Sequence, residues 1–179
     1  MKLSKEFKTE RLFFRSLDAN DANEKYKNWL EDSRVNQYLE VRHHIPDITM
    51  LKKYIIAMND STDSLLLGIF LREIQHIGNI KLGPIDWKNK RAGLGVMIGD
   101  RGSWCKGYAT EAITAITHYA LNQLNLNRVE SSCYHSNIGS FKAFMKAGYE
   151  QEGSMKKYWN TETGYQDNIM MAFLKKMAL

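Results

Sequence analysis

The sequence predicts a single α+β domain over residues 1–179, with a mainly antiparallel sheet of six to seven strands flanked by about four helices. Three observations lead there. Apolar residues recur at helical spacing through residues 18–60, then give way at Ser64 to apolar runs of strand length. Two of these runs, residues 64–72 and 75–85, are separated by a turn too short for a crossover, so they pair antiparallel. No linker, repeat or low-complexity stretch divides the 179 residues, a length that suits one domain.

The elements follow in order. "RLFFRSL" (residues 11–17) reads as a first strand. "DANDANEKYKNWLED" reads as a helix with Asp18 near its N-cap and Ala22, Tyr26, Trp29 and Leu30 on one face. "VNQYLE" is a short helical turn. "DITMLKKYIIAMND" is a helix entered through Pro46 and capped by Asp47, with Leu51, Tyr54, Ile55 and Met58 facing inward. After the antiparallel pair comes "AGLGVMIGD" (residues 92–100), a fourth strand in which Gly93 and Gly95 read as bulge or close-approach positions. A helix follows from Gly107, with a stripe of Ala109, Ala112, Ile116, Tyr119 and Ala120. "RVESSCYH" is the fifth strand, "NIGSFKAFMKAG" a helix stopped by Gly148, and "YEQEGSMKKYWN" the sixth strand. "TETG" turns the chain into the last strand, "YQDNIMMAFLKK".

Composition narrows the function. Hydrophobic residues make up 44% of the chain, enough for a core. Twenty-five Lys and Arg against twenty Asp and Glu give a formal charge of +5, which favours an anionic partner. No run of five or six like charges is present, so a nucleic-acid-binding tail is not expected. The two cysteines, Cys105 and Cys133, form no CxxC pair, so neither a zinc site nor any other metal centre is expected, and they fit a reducing compartment. No apolar run is long enough to span a bilayer, and "MKLSKEFKTERLFFR" lacks the apolar stretch of a signal peptide. The expectation is a cytoplasmic protein without a membrane partner, either a monomer or a homodimer.

The stretch "RGSWCKGYATEA" carries the chemistry. The first turn of a helix has unpaired N–H groups and the positive end of the dipole, and an acidic residue is the usual occupant. Here none occurs between Arg101 and Tyr108; Glu111 is the first. Gly102 and Gly107 let the backbone curl, and Lys106 adds a positive charge. An incoming phosphate or pyrophosphate explains the pattern; an ordinary strand-to-helix turn is the competing reading. A P-loop is excluded, because the lysine precedes the glycine rather than following it. Gly93, Gly95 and Gly99 imitate a dinucleotide fingerprint, but they lie within a strand instead of opening a helix.

"WCKGYATEA" followed by "NIGSFKAFMKAGYEQEG" resembles the GNAT superfamily of acetyl-CoA-dependent N-acetyltransferases. "TERLFFRSLDANDA" and "GNIKLGPID" resemble its branch of ribosomal-protein N-terminal and sugar-amine acetyltransferases, so the likeness runs from about Thr9 to Phe173. Trp104 stands where the family's loop usually has Arg or Gln. The resemblance implies a V-shaped splay between strands four and five that admits acetyl-CoA. The backbone of Met97, Ile98 and Gly99 would hold the pantetheine arm. The loop of Trp104, Cys105, Lys106, Gly107, Tyr108, Ala109 and Thr110 would cradle the pyrophosphate, and Asn137 would contact the coenzyme arm.

The implied reaction is direct attack of an amine on the thioester within a ternary complex, with no metal. It needs a base, an N–H donor for the developing oxyanion and a donor for the leaving thiolate. The family's usual tyrosine for the last role falls at Phe144, which has no hydroxyl; Ser140 is the nearest substitute. Tyr134 and His135 end the fifth strand near the expected V and are further catalytic candidates. Trp29, Glu40, His43 and Asp86 are candidates for the acceptor wall, and Trp159 lies near a loop that could overhang it. The acceptor expected is a small primary amine, with a nucleotide-linked amino sugar as the leading case. Protein N-terminal acetylation is the alternative, and a non-catalytic acyl-CoA-binding module the third reading.

Overall fold

The computed structural model describes residues 1–176. Eight strands form one sheet: β1 (Phe7–Lys8), β2 (Leu12–Ser16), β3 (Leu65–Leu71), β4 (Gln75–Asp86), β5 (Arg91–Ile98), β6 (Arg128–Tyr134), β7 (Glu150–Thr161) and β8 (Gly164–Leu174). Their spatial order is β1-β2-β3-β4-β5-β6-β8-β7. Every neighbouring pair is antiparallel except β5–β6. Five α-helices accompany it: α1 (Glu24–Glu31), α2 (Ser33–Asn36), α3 (Ile48–Asp60), α4 (Tyr108–Asn122) and α5 (Ile138–Lys146). The mixed, mainly antiparallel α+β class therefore holds, with two short elements added. One is β1, whose Phe7 stacks on Phe14 and Tyr119. The other is α2, capped by Asp32.

Each face of the sheet has its own core. The back face packs α4 through Ala112, Ile113, Ile116 and Ala120, together with Phe144 of α5, against Ile80, Leu82 and Leu94. The front face packs α1 and α3 through Tyr26, Trp29, Leu51 and Ile55 against Phe13, Leu66 and Phe70. With both faces covered, β3 is buried at all but its last residue, which explains its unbroken apolar run.

Three local readings change. The helix expected from Asp18 starts instead after Asn23, whose side chain accepts the Tyr26 N–H. Asp18 caps a separate 3-10 turn, Ala19–Asp21, because the Asp21 carboxylate takes the Asp18 N–H and a bidentate pair from Arg15, both at 2.7 Å. The helical turn expected over residues 35–40 splits between α2 and a 3-10 turn at Glu40–His43. Tyr54, expected inside, is 38% exposed.

The parallel pair is the one that fails. β5 and β6 are joined at Arg91↔Arg128, Ala92↔Val129 and Gly93↔Glu130, and then separate. Ser131 Oγ donates to the Leu94 carbonyl at 2.8 Å where the pairing ends. Gly93 lies opposite a bulge in β4 between Leu82 and Ile85; a Cβ there would sit 3.3 Å from the Gly83 carbonyl oxygen, a close approach as read from the sequence. Gly95 differs, since a Cβ would meet nothing within 4 Å.

Beyond β5, Gly99 lies flat against the Trp29 indole, and a Cβ would fall inside the ring's van der Waals envelope. Gly99→Ala is expected to push Trp29 out of place and to cost about 1–3 kcal/mol, the range for overpacking. Chemical denaturation of the two proteins measures it; equal midpoints and slopes would contradict this packing.

Candidate active site

The separation of β5 and β6 opens a cleft of about 1690 Å³ that reaches both faces of the sheet. Its back arm runs between β5 and the starts of α4 and α5. Its front arm lies beneath α1, α2 and the 3-10 turn, walled on the far side by the β7–β8 hairpin.

The open edge of β5 comes first. Gly99 N–H donates to Ile77 O, so residues 99 and 97 face β4. Antiparallel alternation then turns the N–H and C=O of Val96, and the N–H of Ile98, toward the gap. The Trp104 indole N–H takes the Ile98 carbonyl at 2.7 Å. Of the three residues expected to present backbone here, only Ile98 does; Met97 lines the cleft but spends its backbone on β4, and Gly99 lies outside the cleft. Val96 is the residue that the sequence reading missed, and period-two counting back from Ile98 would have found it.

The start of α4 is next. Gly107 is its N-cap with φ +83°, and no side chain caps the helix. That φ favours glycine. Cys105 also has a positive φ, +60°. The main-chain N–H groups of residues 105–110 find no protein partner among the described residues. Trp104, Cys105, Gly107, Tyr108, Ala109 and Thr110 line the cleft; Lys106 does not, and its carbonyl accepts from Arg11 at 2.9 Å. Arg11 also holds Glu111, with Nε to Oε2 at 2.7 Å, and Thr9 Oγ1 donates to the same carboxylate. Burial works to raise the Glu111 carboxyl, but these partners outweigh it and keep it below the ordinary range. The first acidic residue of α4 is thus neutralised from the strand side, and positive character remains at the helix start. An anion fits this cradle.

α5 supplies the other lip of the back arm. Asn137 caps it by accepting the Ser140 N–H at 3.2 Å. The Ser140 hydroxyl has no protein partner among the described residues and lines the cleft. Phe144 also lines the cleft, but it is 1% exposed and packs edge-on against Tyr149 as part of the core. Lys142 and Lys146, one helical turn apart, add charge that the sequence reading did not count.

In the front arm the Tyr134 hydroxyl donates to Glu40 Oε1 at 2.5 Å, and the Arg42 guanidinium lies over the Tyr134 ring at 5.4 Å. Burial and the Glu40 carboxylate raise the Tyr134 hydroxyl above its ordinary value. Burial works to raise Glu40, but the Tyr134 hydroxyl and Arg42 win and hold it below the carboxylate range. Trp159 stacks on Tyr134 at 4.6 Å between ring centres. A bulge in β7 between Met155 and Trp159 brings it there, and Asp167 pins the bulge by accepting from Lys156 Nζ and the Lys157 N–H.

Four more candidates, besides Gly99 and Lys106, fall outside the cleft. His135 is exposed in the turn that follows β6 and does not line the cleft. His43 is exposed 3.9 Å from Glu40, and His44 lines the cleft in its place. Trp29 is buried beneath Gly99. Asp86 ends β4 away from the opening and is occupied by Asn89 and Arg91. The thiol of Cys133 is buried and pushed up to about 11, which leaves it inert at neutral pH. Among the described residues no group of His, Cys, Asp or Glu is arranged to hold a metal, and no helix is long and apolar enough to cross a membrane.

Known proteins share this architecture. The profile of the acetyltransferase (GNAT) domain matches residues 11–150. The uncharacterized N-acetyltransferase p20 of Bacillus licheniformis is 29% identical over 172 residues, covering 94% of this chain and 95% of that protein. The structure of spermidine N-acetyltransferase from Vibrio cholerae, in complex with CoA and spermine, superposes with a TM-score of 0.83 at 18% identity, over 93% of this chain and 96% of that one. Ribosomal-protein-S5-alanine acetyltransferase from Vibrio fischeri gives 0.81 at 18% identity, over 96% and 97%. With most of its length matched by the domain profile and its sheet split between β5 and β6, the chain belongs to the GNAT family of acetyltransferases.

Proposed function

We propose that the protein moves the acetyl group of acetyl-CoA to the primary amine of a small acceptor, by direct attack in a ternary complex. The observation that carries this reading is the run of unpartnered N–H groups at residues 105–110, set beside the open rungs of β5. The first fits a pyrophosphate, and the second fits the amide-bearing pantetheine arm. Lys142 and Lys146 suit the remaining negative charge of the coenzyme.

The residues divide the chemistry as follows. A main-chain N–H of Val96 or Ile98 donates to the thioester oxygen as charge develops there. The amine attacks in its neutral form, forming the C–N bond as the C–S bond breaks. Its surplus proton passes to the Tyr134 oxygen while the Tyr134 proton moves to Glu40, so Glu40 ends protonated and Tyr134 unchanged. Ser140 Oγ donates a hydrogen bond to the departing thiolate, the part that Phe144 cannot play.

The structural relatives differ in their named acceptors, a polyamine in one and a protein alanine in the other. Acceptor choice therefore rests on the lining of the front arm. Its carboxylates are already matched: Glu40 to Arg42, and Glu130 and Glu152 to Arg128. Arg34 and Lys81 line the same arm, so it carries no acidic field to draw in a polycation. Aromatic faces and neutralised ion pairs suit a hydroxyl-rich body around the amine. An amino sugar has this character, and a nucleotide handle would answer the cations. Two free thiols accord with a cytoplasmic setting.

Acetyl-CoA turnover on a panel of amino sugars, polyamines and N-terminal peptides tests the reading, with amino sugars expected to lead. Gly107→Val should weaken acetyl-CoA binding at least tenfold by calorimetry, because a β-branched residue resists φ +83° and the turn must reshape. Unchanged affinity in a folded variant would remove the loop from the site. Ser140→Ala should lower kcat about ten- to a thousandfold with acetyl-CoA affinity intact; full activity would reduce Ser140 to a helix-start residue. Tyr134→Phe and Glu40→Gln should each slow the reaction, and the double variant should be no slower than the worse single one, as for groups acting as one unit. Additive losses would break the relay.

A further inference from the structure

The residues just ahead of β2 reach the start of α4 from behind. Arg11 Nε donates to Glu111 Oε2 at 2.7 Å, and Nη2 lies at the same distance from that oxygen. Arg11 Nη1 donates to the Lys106 carbonyl at 2.9 Å, and the guanidinium lies over the Tyr108 ring, 4.8 Å from its centre. The other carboxylate oxygen, Glu111 Oε1, accepts from the Arg11 main-chain N–H at 2.9 Å and from the Thr9 hydroxyl at 2.5 Å. Both oxygens of Glu111 are thus engaged by one short segment from the far end of the chain.

Neither Arg11 nor Glu111 lines the cleft, so neither is placed to touch a coenzyme held in it. The separation is thin. Gly107, Thr110 and Lys146 border both the cleft and the recess behind it that Arg11 and Glu111 line. A Cβ at Gly107 would come 3.4 Å from Arg11 Nη2, so the guanidinium backs directly onto the helix start. Glu111 lies in the first turn of α4, and its side chain is only 16% exposed, which limits screening by solvent. Left alone, such a carboxylate would repel an anion arriving at the unpaired N–H groups and would itself compete for their positive end. Held by Arg11 it does neither, and a guanidinium keeps its charge at every working pH.

We infer that Arg11 is a positioning residue for the coenzyme, setting affinity for the pyrophosphate by cancelling the charge of Glu111 without touching the ligand. This rests on the acetyl-CoA reading of the α4 start and deepens it, assigning part of the binding strength to a pair outside the cleft.

Calorimetry with acetyl-CoA on the full chain tests the pair as a cycle. Arg11→Met keeps an unbranched stem over Tyr108 and removes the charge. It should raise Kd about three- to thirtyfold, the range of a charge acting at a helix start. Adding Glu111→Gln in that background should bring Kd back to within about twofold of the wild type, because nothing is left to cancel. Glu111→Gln alone should bind acetyl-CoA more tightly, since the Arg11 charge is then unopposed. The Arg11→Met loss should shrink as NaCl is raised, and it should be absent from turnover of S-acetylpantetheine, which has the thioester but no phosphate. Unchanged affinity in Arg11→Met, a loss that Glu111→Gln fails to relieve, or a loss that falls equally on S-acetylpantetheine would overturn the inference and leave acetyl-CoA binding standing. Weaker binding by the Glu111→Gln protein would overturn it even where Arg11→Met does not fold. A wild-type protein that binds no acetyl-CoA would overturn the reading beneath it as well.

Discussion

The rest of the site depends on the failure of β5 and β6 to pair beyond Gly93 and Glu130. A parallel ladder that continued would consume the N–H and C=O groups of Val96 and the N–H of Ile98. Because it stops, those groups stand unpaired at the edge of a solvent-filled gap, where a ligand with amides of its own can take the place of a strand. The gap is held open from several directions. Ser131 satisfies the last β5 carbonyl on one side, and the Trp104 indole takes the Ile98 carbonyl on the other. Trp29 wedges against Gly99 from the front.

Charge is distributed with similar economy. The α4 start is attractive to an anion because nothing among the described residues competes for it. Gly107 brings no capping side chain, and the nearest acid, Glu111, is tied to Arg11 and Thr9. The same Arg11 holds the Lys106 carbonyl, so one guanidinium braces the loop and silences the helix's own carboxylate. In the front arm the acids are likewise matched, which leaves shape and hydrogen bonding to choose the acceptor.

Much of this was legible in the sequence. The switch of apolar period at Ser64 located the sheet, and the missing acid ahead of Tyr108 marked the helix start whose N–H groups stand unpartnered among the described residues. Asn137 at the opening of α5, and Ser140 as the stand-in for Phe144, followed from the resemblance to the GNAT family rather than from spacing. The losses share a cause: they depend on partners distant in sequence. Asp18 and Asn23 are both good caps, and only the Arg15–Asp21 pair decides which one starts the long helix. Met97 and Gly99 turn away because Gly99 bonds Ile77, a register that the strand alone does not reveal. Asp86 and His135 had suitable chemistry and sat near the right strands, but neither lines the opening.

The position of β8 has a consequence for how the molecule is made. β6 pairs with β5 over only three residues but with β8 along its whole length, so its second edge is supplied by residues 164–174. Until that segment leaves the ribosome, β6 is a strand with one edge barely held and the other bare. Trp159, already made, lacks its β8 partner Gln166 for the same interval. Such an edge is a template for pairing with other chains, and closing it needs a contact between segments far apart in the chain, which is slow to form. Emergence of β8 is therefore the step that covers the second edge of β6 and completes the wall of the cleft.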